Sequence, residues 1–277
     1  MTIDAIAPAD HRHDGLTRPP RVSRVADRRP GGPAARHFAR TFAILPPRRL
    51  QALRLVPVAA VVLWAALQLQ PLLAQTRTTH PLTGRRVADI ASDANWLERA
   101  QREEEEQPER ALELIGIEKG LVVADIGAGS GYMTVRLARR VGPTGKVYAT
   151  DLQPRMLAIV NARARYLKLW NIELVQGTVD DAKLPAGAIG LALLVDVYHE
   201  FWHPQEMLQS IRRALKPDGR LVLLEYRKED NTLPIMYDHT MSVNEVRTEV
   251  QAEGFAFDRL IKELPRQHIV VFRKPAS

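Results

Sequence analysis

Short apolar runs alternate with segments of helical periodicity from Leu121 to the C-terminus, and this alternation constrains the fold most strongly. The runs predict seven strands, at Leu121–Ile126, Lys146–Thr150, Ile172–Gln176, Ile189–Val195, Leu221–Glu225, Phe257–Glu263 and Ile269–Phe272. The periodic segments predict helices at Tyr132–Val141, Pro154–Leu167, Pro204–Leu215 and Ser242–Glu253. Such alternation is typical of α/β proteins with a doubly wound, mostly parallel sheet. The last two runs are too close for a crossover helix, so the predicted seven-stranded sheet has an antiparallel last strand.

The first 54 residues carry the entire formal net charge of +7, with eleven Arg, no Lys and four Asp. They are rich in Pro, Gly and Ala and lack the apolar content of a core, so residues 1–54 are predicted to be a disordered Arg-rich tail. The rest of the chain is neutral, which argues against a nucleic-acid partner. The absence of cysteine excludes disulfides and cysteine nucleophiles.

Residues 55–75 carry no charge and directly follow Arg54. Their apolar part, 55–67, is shorter than the about 20 residues of a comfortable membrane span. A basic flank, a short apolar stretch and a small residue at Ala74 are typical of a signal sequence. The alternatives are a membrane anchor, which would give a membrane association through 55–75, or a packed helix. The chain is therefore expected to be exported (periplasmic or extracytoplasmic) or membrane-anchored, with a cytoplasmic location as the alternative.

The remaining chain divides into a predicted linker at 76–92 and a predicted domain at 93–277. The domain begins with a helical cap at 93–118, in which Trp96 and Leu97 are among the expected apolar anchors. Pro108 should divide this cap into two helices, because proline removes a helical hydrogen bond.

A glycine-rich loop joins the first predicted strand to the first helix after it, with glycines at 127, 129 and 131. Glycine permits a sharp turn and a close approach of the backbone to a ligand. Tyr132 occupies the place of the third glycine in a dinucleotide-binding loop. Asp125 would repel a diphosphate and suits a ligand that carries an ammonium and a sulfonium. Asp151 ends the next strand, where a ribose diol would be held; capping of the following helix is the alternative role.

Four motifs, DIGAGSG, VYATD, GTVDDAKLP and LLVDVYHE, follow one another in this order. This series resembles the class I S-adenosylmethionine-dependent methyltransferases, of the small-molecule, ubiquinone-biosynthesis-like type with a Rossmann-like fold. The resemblance covers roughly residues 96–274. It implies S-adenosyl-L-methionine as the cofactor and methyl transfer to an O, N or C nucleophile of a small-molecule substrate.

The resemblance also implies which residues bind the cofactor. The glycine loop and Asp125 would hold the methionine end, Asp151 the ribose, and the segment 178–181 the adenine. The implied set is Asp125, Gly127, Ala128, Gly129, Gly131, Asp151, Asp180, Asp181 and Asp196. The sequence departs from the family pattern at Thr178 and Gly190, where acidic residues are usual.

The substrate is expected beyond the carboxyl ends of the fourth and fifth strands, where open α/β sheets bind their ligands. The catalytic candidates there are His199, Tyr198 and Glu200, with His199 as a general base. In the alternative interpretation, His199 and Glu200 only fix the start of the next helix, and His239 and His268 are structural. No set of His, Asp and Glu has the spacing of metal ligands, so no metal site is predicted.

Two other functions remain open at this stage. The chain could be an exported or membrane-tethered nucleotide-binding module without turnover, because a fold does not imply a reaction. It could also be a nucleotide-dependent oxidoreductase, which Asp125 and Tyr132 disfavour.

Overall fold

The computed structural model describes residues 79–276 of the 277-residue chain. The predicted tail at 1–54 and the predicted signal sequence or anchor at 55–75 lie outside the described residues. Within the described part, no helix has both the length and the apolar content needed to cross a membrane.

Seven strands form one sheet in the order β3-β2-β1-β4-β5-β7-β6. They are β1 Val122–Ile126, β2 Lys146–Asp151, β3 Ile172–Gln176, β4 Ile189–Val195, β5 Leu215–Tyr226, β6 Ala256–Ile261 and β7 Gln267–Arg273. The strands β1 to β5 pair in parallel, whereas β7 runs antiparallel to both β5 and β6. The predicted doubly wound α/β fold with an antiparallel last strand is confirmed. The strand order reverses beside β1, which is where open sheets of this kind leave a crevice.

Seven α-helices accompany the sheet in the described residues: α1 Ala94–Leu97, α2 Arg102–Glu106, α3 Pro108–Ile115, α4 Tyr132–Val141, α5 Pro154–Tyr166, α6 Pro204–Ala214 and α7 Val243–Ala252. The predicted cap thus consists of three short helices, and Pro108 starts the third, as its fixed backbone favours. Ser242 caps α7 with its hydroxyl while Glu245 returns the hydrogen bond, which confirms the predicted helix start.

The sheet is buried on both faces because helices cover both, and successive strand residues point to opposite faces. Leu191 and Leu193 of β4 pack in one apolar cluster together with α3 and α4. Ala192 and Leu194 pack on the opposite face with α6 and α7. Full burial of one such leucine contributes roughly 1.5–3 kcal/mol to the free energy of folding. The two apolar layers together therefore hold the strands, and with them their carboxyl ends, in a fixed arrangement.

Residues 79–92, which the sequence assigns to a linker, pack on the domain. The side chain of Arg85 is buried, and its Nε donates to both carboxylate oxygens of Glu249 on α7, at 2.9 and 3.0 Å. The backbone N–H of Ala88 donates to the carbonyl of His199 at 3.0 Å. The described part of the predicted linker therefore belongs to the folded domain, held by charge and backbone contacts that hydrophobic periodicity does not reveal.

We expect Arg85→Ala to lower the free energy of unfolding by about 3–5 kcal/mol, because it leaves the buried Glu249 carboxylate without its cation. The control is Arg110→Ala, which removes an exposed ion pair with Glu263 and should cost about 0–1 kcal/mol. Urea denaturation of both variants measures the difference. Equal losses in the two variants would show that 79–92 adds nothing specific to the fold.

Candidate functional site

A cleft of about 1010 Å³, counted with its open mouth, lies at the carboxyl ends of β1, β2 and β4. The glycine loop after β1 lines one side, and the last residues of the three strands line the floor. The predicted cofactor residues that line it are Asp125, Gly127, Ala128, Gly129, Asp151 and Asp196. The fold thus joins residues from three separate motifs at the strand-order reversal, as expected for a ligand site.

The glycine loop needs glycine for two reasons at positions 127 and 129. Both residues have positive φ, at 70° and 53°, which side-chain-bearing residues rarely adopt. A Cβ on Gly127 would collide with the side chain of Val197, and one on Gly129 would lie 2.9 Å from Leu97 Cδ1. The bare backbone therefore forms a cradle that side chains would fill. Gly131 also has positive φ and starts α4, but it does not line the cleft.

Asp151 connects this loop to the next helix. Its Oδ2 accepts the N–H of Gly129 at 2.8 Å, and its Oδ1 accepts the N–H of Gln153 at 2.8 Å, just before α5. Burial raises the pKa of Asp151, and these backbone donors act in the opposite direction. A carboxylate has about four acceptor sites, so the helix-capping role leaves capacity for ribose hydroxyls.

Two further carboxylates lie at the floor of the cleft. Asp125 is buried and accepts the hydroxyl of Thr134 at 2.5 Å. Burial raises its pKa to about 6, against the opposing effect of that hydrogen bond. Asp196 has positive φ, and its Oδ2 accepts the amide of Gln267 at 2.7 Å. Its pKa is raised well above the usual value by burial and then by the charge of Glu106.

The other oxygen of Asp196, Oδ1, is buried and has no hydrogen-bond partner. An unsatisfied buried acceptor is costly, by about 1–3 kcal/mol or more for a charged group. Because Asp196 lines the cleft, a ligand donor such as an ammonium would satisfy this oxygen. The loop and the carboxylates therefore fit S-adenosylmethionine, which carries an ammonium, a sulfonium and a ribose.

The N-terminal segment covers the cleft, and the sequence did not predict this role. Ile90, Ala91, Leu97 and Arg102 all line it. The side-chain amide of Gln153 donates to the carbonyl of Ala91 at 2.8 Å, which ties this cover to the cofactor side. The apolar anchor predicted at Leu97 was the only sequence signal for it.

Trp96 and the adenine-side acids differ from their predicted roles. Trp96, an expected apolar anchor, is 51% exposed, and the Arg99 guanidinium lies over its ring with Cζ 4.1 Å from the ring centre. Asp180 is exposed and accepts the hydroxyl of Thr178, and Asp181 pairs with Lys183 at 3.1 Å. Neither acid lines the cleft. The residues that do line it near that loop include Val179 and Ala182.

The catalytic candidates follow β4 in a 3₁₀ turn, Tyr198–Glu200. Only Glu200 lines the cleft; its Oε1 accepts the N–H of Ala91 at 3.0 Å. Burial raises the pKa of Glu200 to about 7, and the neighbouring His199 opposes this rise. Tyr198 is fully buried with the Arg85 guanidinium 5.1 Å from its ring centre, so the prediction that it faces the substrate is not supported.

His199 is buried behind Glu200 rather than exposed in the cleft. Its Nδ1 lies 2.6 Å from a carboxylate oxygen of Glu225, and its Nε2 lies 3.9 Å from Glu200 Oε1. Burial lowers the pKa of His199, but the charge and hydrogen bond of Glu225, together with the charges of Glu200 and Asp196, outweigh burial and raise the pKa. The ring of His239 stands 5.0 Å from that of His199, although the two residues are far apart in sequence. His268, in contrast, is buried on β7 opposite Glu225 in the strand register.

Sequence comparisons agree with this geometry. A family model described as a methyltransferase domain matches residues 123–219. A ubiquinone/menaquinone biosynthesis C-methyltransferase, UbiE, of Pseudomonas savastanoi pv. phaseolicola is 35% identical over 126 residues, 44% of this chain and 48% of the relative. The UbiE protein of Pseudomonas putida strain GB-1 is 34% identical over 125 residues. The chain thus spans about half the length of the curated relatives it matches.

Structural comparisons give the same fold. A SAM-dependent methyltransferase from Aquifex aeolicus is 25% identical with a TM-score of 0.63, covering 66% of this chain and 100% of that one. The [4+2]-cyclase SpnF shares the fold at 17% identity with a TM-score of 0.54, covering 76% of this chain and 94% of its own. Together with the glycine loop, the cleft carboxylates and the family match, these findings show that the chain contains a class I S-adenosylmethionine-dependent methyltransferase domain.

Proposed function

We propose that this protein transfers a methyl group from S-adenosylmethionine to an O, N or C nucleophile of a small molecule bound in the cleft. The observation that carries the proposal is the unsatisfied Oδ1 of Asp196, which lies in the same cleft as the glycine cradle. A cationic cofactor supplies the donor that this buried oxygen lacks.

Each polar group of the cleft has a separate role in this proposal. Asp196 and Asp125 hold the cationic methionine end, and Asp151 holds the ribose. Ala182 and Val179 offer an apolar surface for the adenine, in place of the carboxylates expected from the sequence.

The bound cofactor would supply an electrophilic methyl group on a good leaving group. The chain's own contribution is then mainly to position the nucleophile and to exclude water. Glu200 stands in the cleft wall and can contact a polar group of the substrate. His199 lies behind it, so the general-base role inferred from the sequence has no direct path to the substrate in this geometry.

The acceptor is proposed to be partly apolar. Phe201, Trp202 and Met207 line the cleft together with Glu200. This lining agrees with relatives whose names place them in ubiquinone and menaquinone biosynthesis as C-methyltransferases. Because the comparison covers about half of those relatives, a quinone-type acceptor with a reacting carbon is proposed as one member of the class of partly apolar acceptors.

The proposed location of the protein rests on its sequence alone. We propose that residues 55–75 export the domain or anchor it to a membrane, as their basic flank and short apolar stretch indicate.

The first test is calorimetry of the full chain with S-adenosylmethionine and with NAD. We expect binding of the first and none of the second. Asp151→Ala should lower the affinity at least roughly tenfold, because each lost hydrogen bond to a charged group is worth about 1.5–3 kcal/mol. Asp180→Ala is the matched control and should bind normally, since Asp180 lies outside the cleft. Preference for NAD, or equal losses in both variants, would contradict the proposed cofactor site.

The second test concerns pH. Burial raises the pKa of Asp125 to about 6 in the free protein, so its carboxylate is charged above that pH and neutral below it. Only the charged form attracts an ammonium. The affinity for S-adenosylmethionine should therefore fall as the pH drops below about 6, and Asp125→Asn should bind weakly with less dependence on pH. The same acid-side loss in Asp125→Asn would assign the effect to another group.

The third test addresses the substrate wall with labelled methyl transfer to a cell extract. Glu200→Gln should lower the transfer rate by roughly ten- to a hundredfold, from the loss of one hydrogen bond to a charged group. Its affinity for the cofactor should stay within about twofold. Glu206→Gln, on the exposed surface of α6, is the control. A normal rate in Glu200→Gln would place the substrate elsewhere in the cleft.

A further inference from the structure

Three metal-ligand side chains meet beside the cleft, although no spacing in the sequence indicates it. They are His199, Glu200 and His239, and one ligand atom from each lies within 4.8 Å of the other two. Two of them follow β4 in the turn Tyr198–Glu200, and the third ends the 3₁₀ turn Tyr237–His239. Two imidazoles and one carboxylate form a donor set that zinc and other divalent first-row metals accept.

His199 is oriented in the way that metal-bound histidines are. Its Nδ1 lies 2.6 Å from Glu225, a carboxylate buried at the end of β5. When Nδ1–H donates to this carboxylate, Nε2 carries the lone pair, and Nε2 is the nitrogen that faces Glu200 at 3.9 Å. A carboxylate behind the distal nitrogen is the usual support of a histidine that binds a metal ion.

Glu200 has acceptor capacity left for a cation. The structure gives its side chain one hydrogen bond, from the N–H of Ala91 to Oε1, whereas a carboxylate has about four acceptor sites. Glu200 also lines the cleft, so an ion bound to it would be accessible from the cleft to solvent and to ligands.

The distances lie within reach of a metal site. Bonds of about 2.0–2.1 Å in a tetrahedral arrangement place ligand atoms about 3.3 Å apart. The three side chains would have to close by about 1.5 Å from the 4.8 Å limit, which side-chain rotation can supply. His239 is half-buried in a short turn and is the ligand with the most freedom to move.

We propose that His199 Nε2, the carboxylate of Glu200 and the ring of His239 bind a divalent transition-metal ion of the zinc class. Glu225 orients His199 from behind, and the remaining coordination position faces the cleft. This inference concerns metal binding and stands whether or not the proposed methyl transfer occurs.

The test uses the full chain without an affinity tag, stripped of metals and titrated with Co²⁺ and then Zn²⁺. The wild type should bind one more equivalent of Co²⁺ than His239→Gln, with visible absorption bands that Zn²⁺ abolishes. His11, His13 and His37 are present in both proteins, so they cancel from the difference. Glu225→Gln should weaken binding by about 10–100-fold, the usual effect of removing a carboxylate behind a metal-bound histidine.

The control is His203→Gln, which also removes one imidazole close in sequence but lies outside the three-residue cluster. It should bind Co²⁺ like the wild type. Zn²⁺ should raise the melting temperature of the wild type and of His203→Gln, but not that of His239→Gln. Equal Co²⁺ stoichiometry and affinity in the wild type and His239→Gln would overturn the proposal, as would an equal loss in His203→Gln.

Discussion

The carboxylate of Asp151 is the contact on which the arrangement of the cofactor cleft depends. With one oxygen it accepts the N–H of Gly129, and with the other the N–H of Gln153 at the start of α5. The glycine loop has positive φ at three positions, so acceptors outside the loop have to fix its path. The carbonyl of Thr150 accepts the N–H groups of Gly127 and Ala128, the hydroxyl of Ser130 donates to Glu98, and Asp151 adds the contact that also reaches the next helix.

The second feature of the molecule is the concentration of charge behind that cleft. Arg102 donates to Glu106 at 2.6 Å, and Glu106 also accepts the hydroxyl of Tyr226 at 2.8 Å. The charge of Glu106 raises the pKa of the nearby Asp196, and the charge of Arg102 lowers it. Such groups cost free energy to bury, and paired networks of this kind contribute little to stability compared with an apolar core. Their position next to the cleft instead favours a role in function.

The fold of this protein does not by itself determine its reaction. The fold of this domain also occurs in a protein described as a [4+2]-cyclase. In this chain, Glu200, Phe201 and Trp202 line the cleft together with the glycine loop. Glu200, Phe201 and Trp202 lie inside the segment 123–219 that matches the family model, whereas the cover formed by residues 90–102 lies outside it.

The sequence by itself determined the order of strands and helices, the antiparallel end of the sheet and the glycine loop with Asp125 and Asp151. These features are local: they rest on hydrophobic periodicity and on backbone conformations that only glycine adopts readily. The membership of Asp196 in the cleft also followed from its place at the end of a strand.

Only the tertiary structure decided which polar residues meet across long sequence separations. In the structure, Asp180 and Asp181 lie outside the cleft, and Tyr198 and His199 are buried. The ring of His239 contacts that of His199 in the turn after β4. The tertiary structure also folds residues 79–92 onto the domain through the pair of Arg85 and Glu249. These outcomes depend on the direction of single side chains and on ion pairs between distant segments. Neither property gives a periodic pattern in the sequence. Each depends on how separate helices and strands pack together, whereas the local pattern specifies every helix or strand by itself.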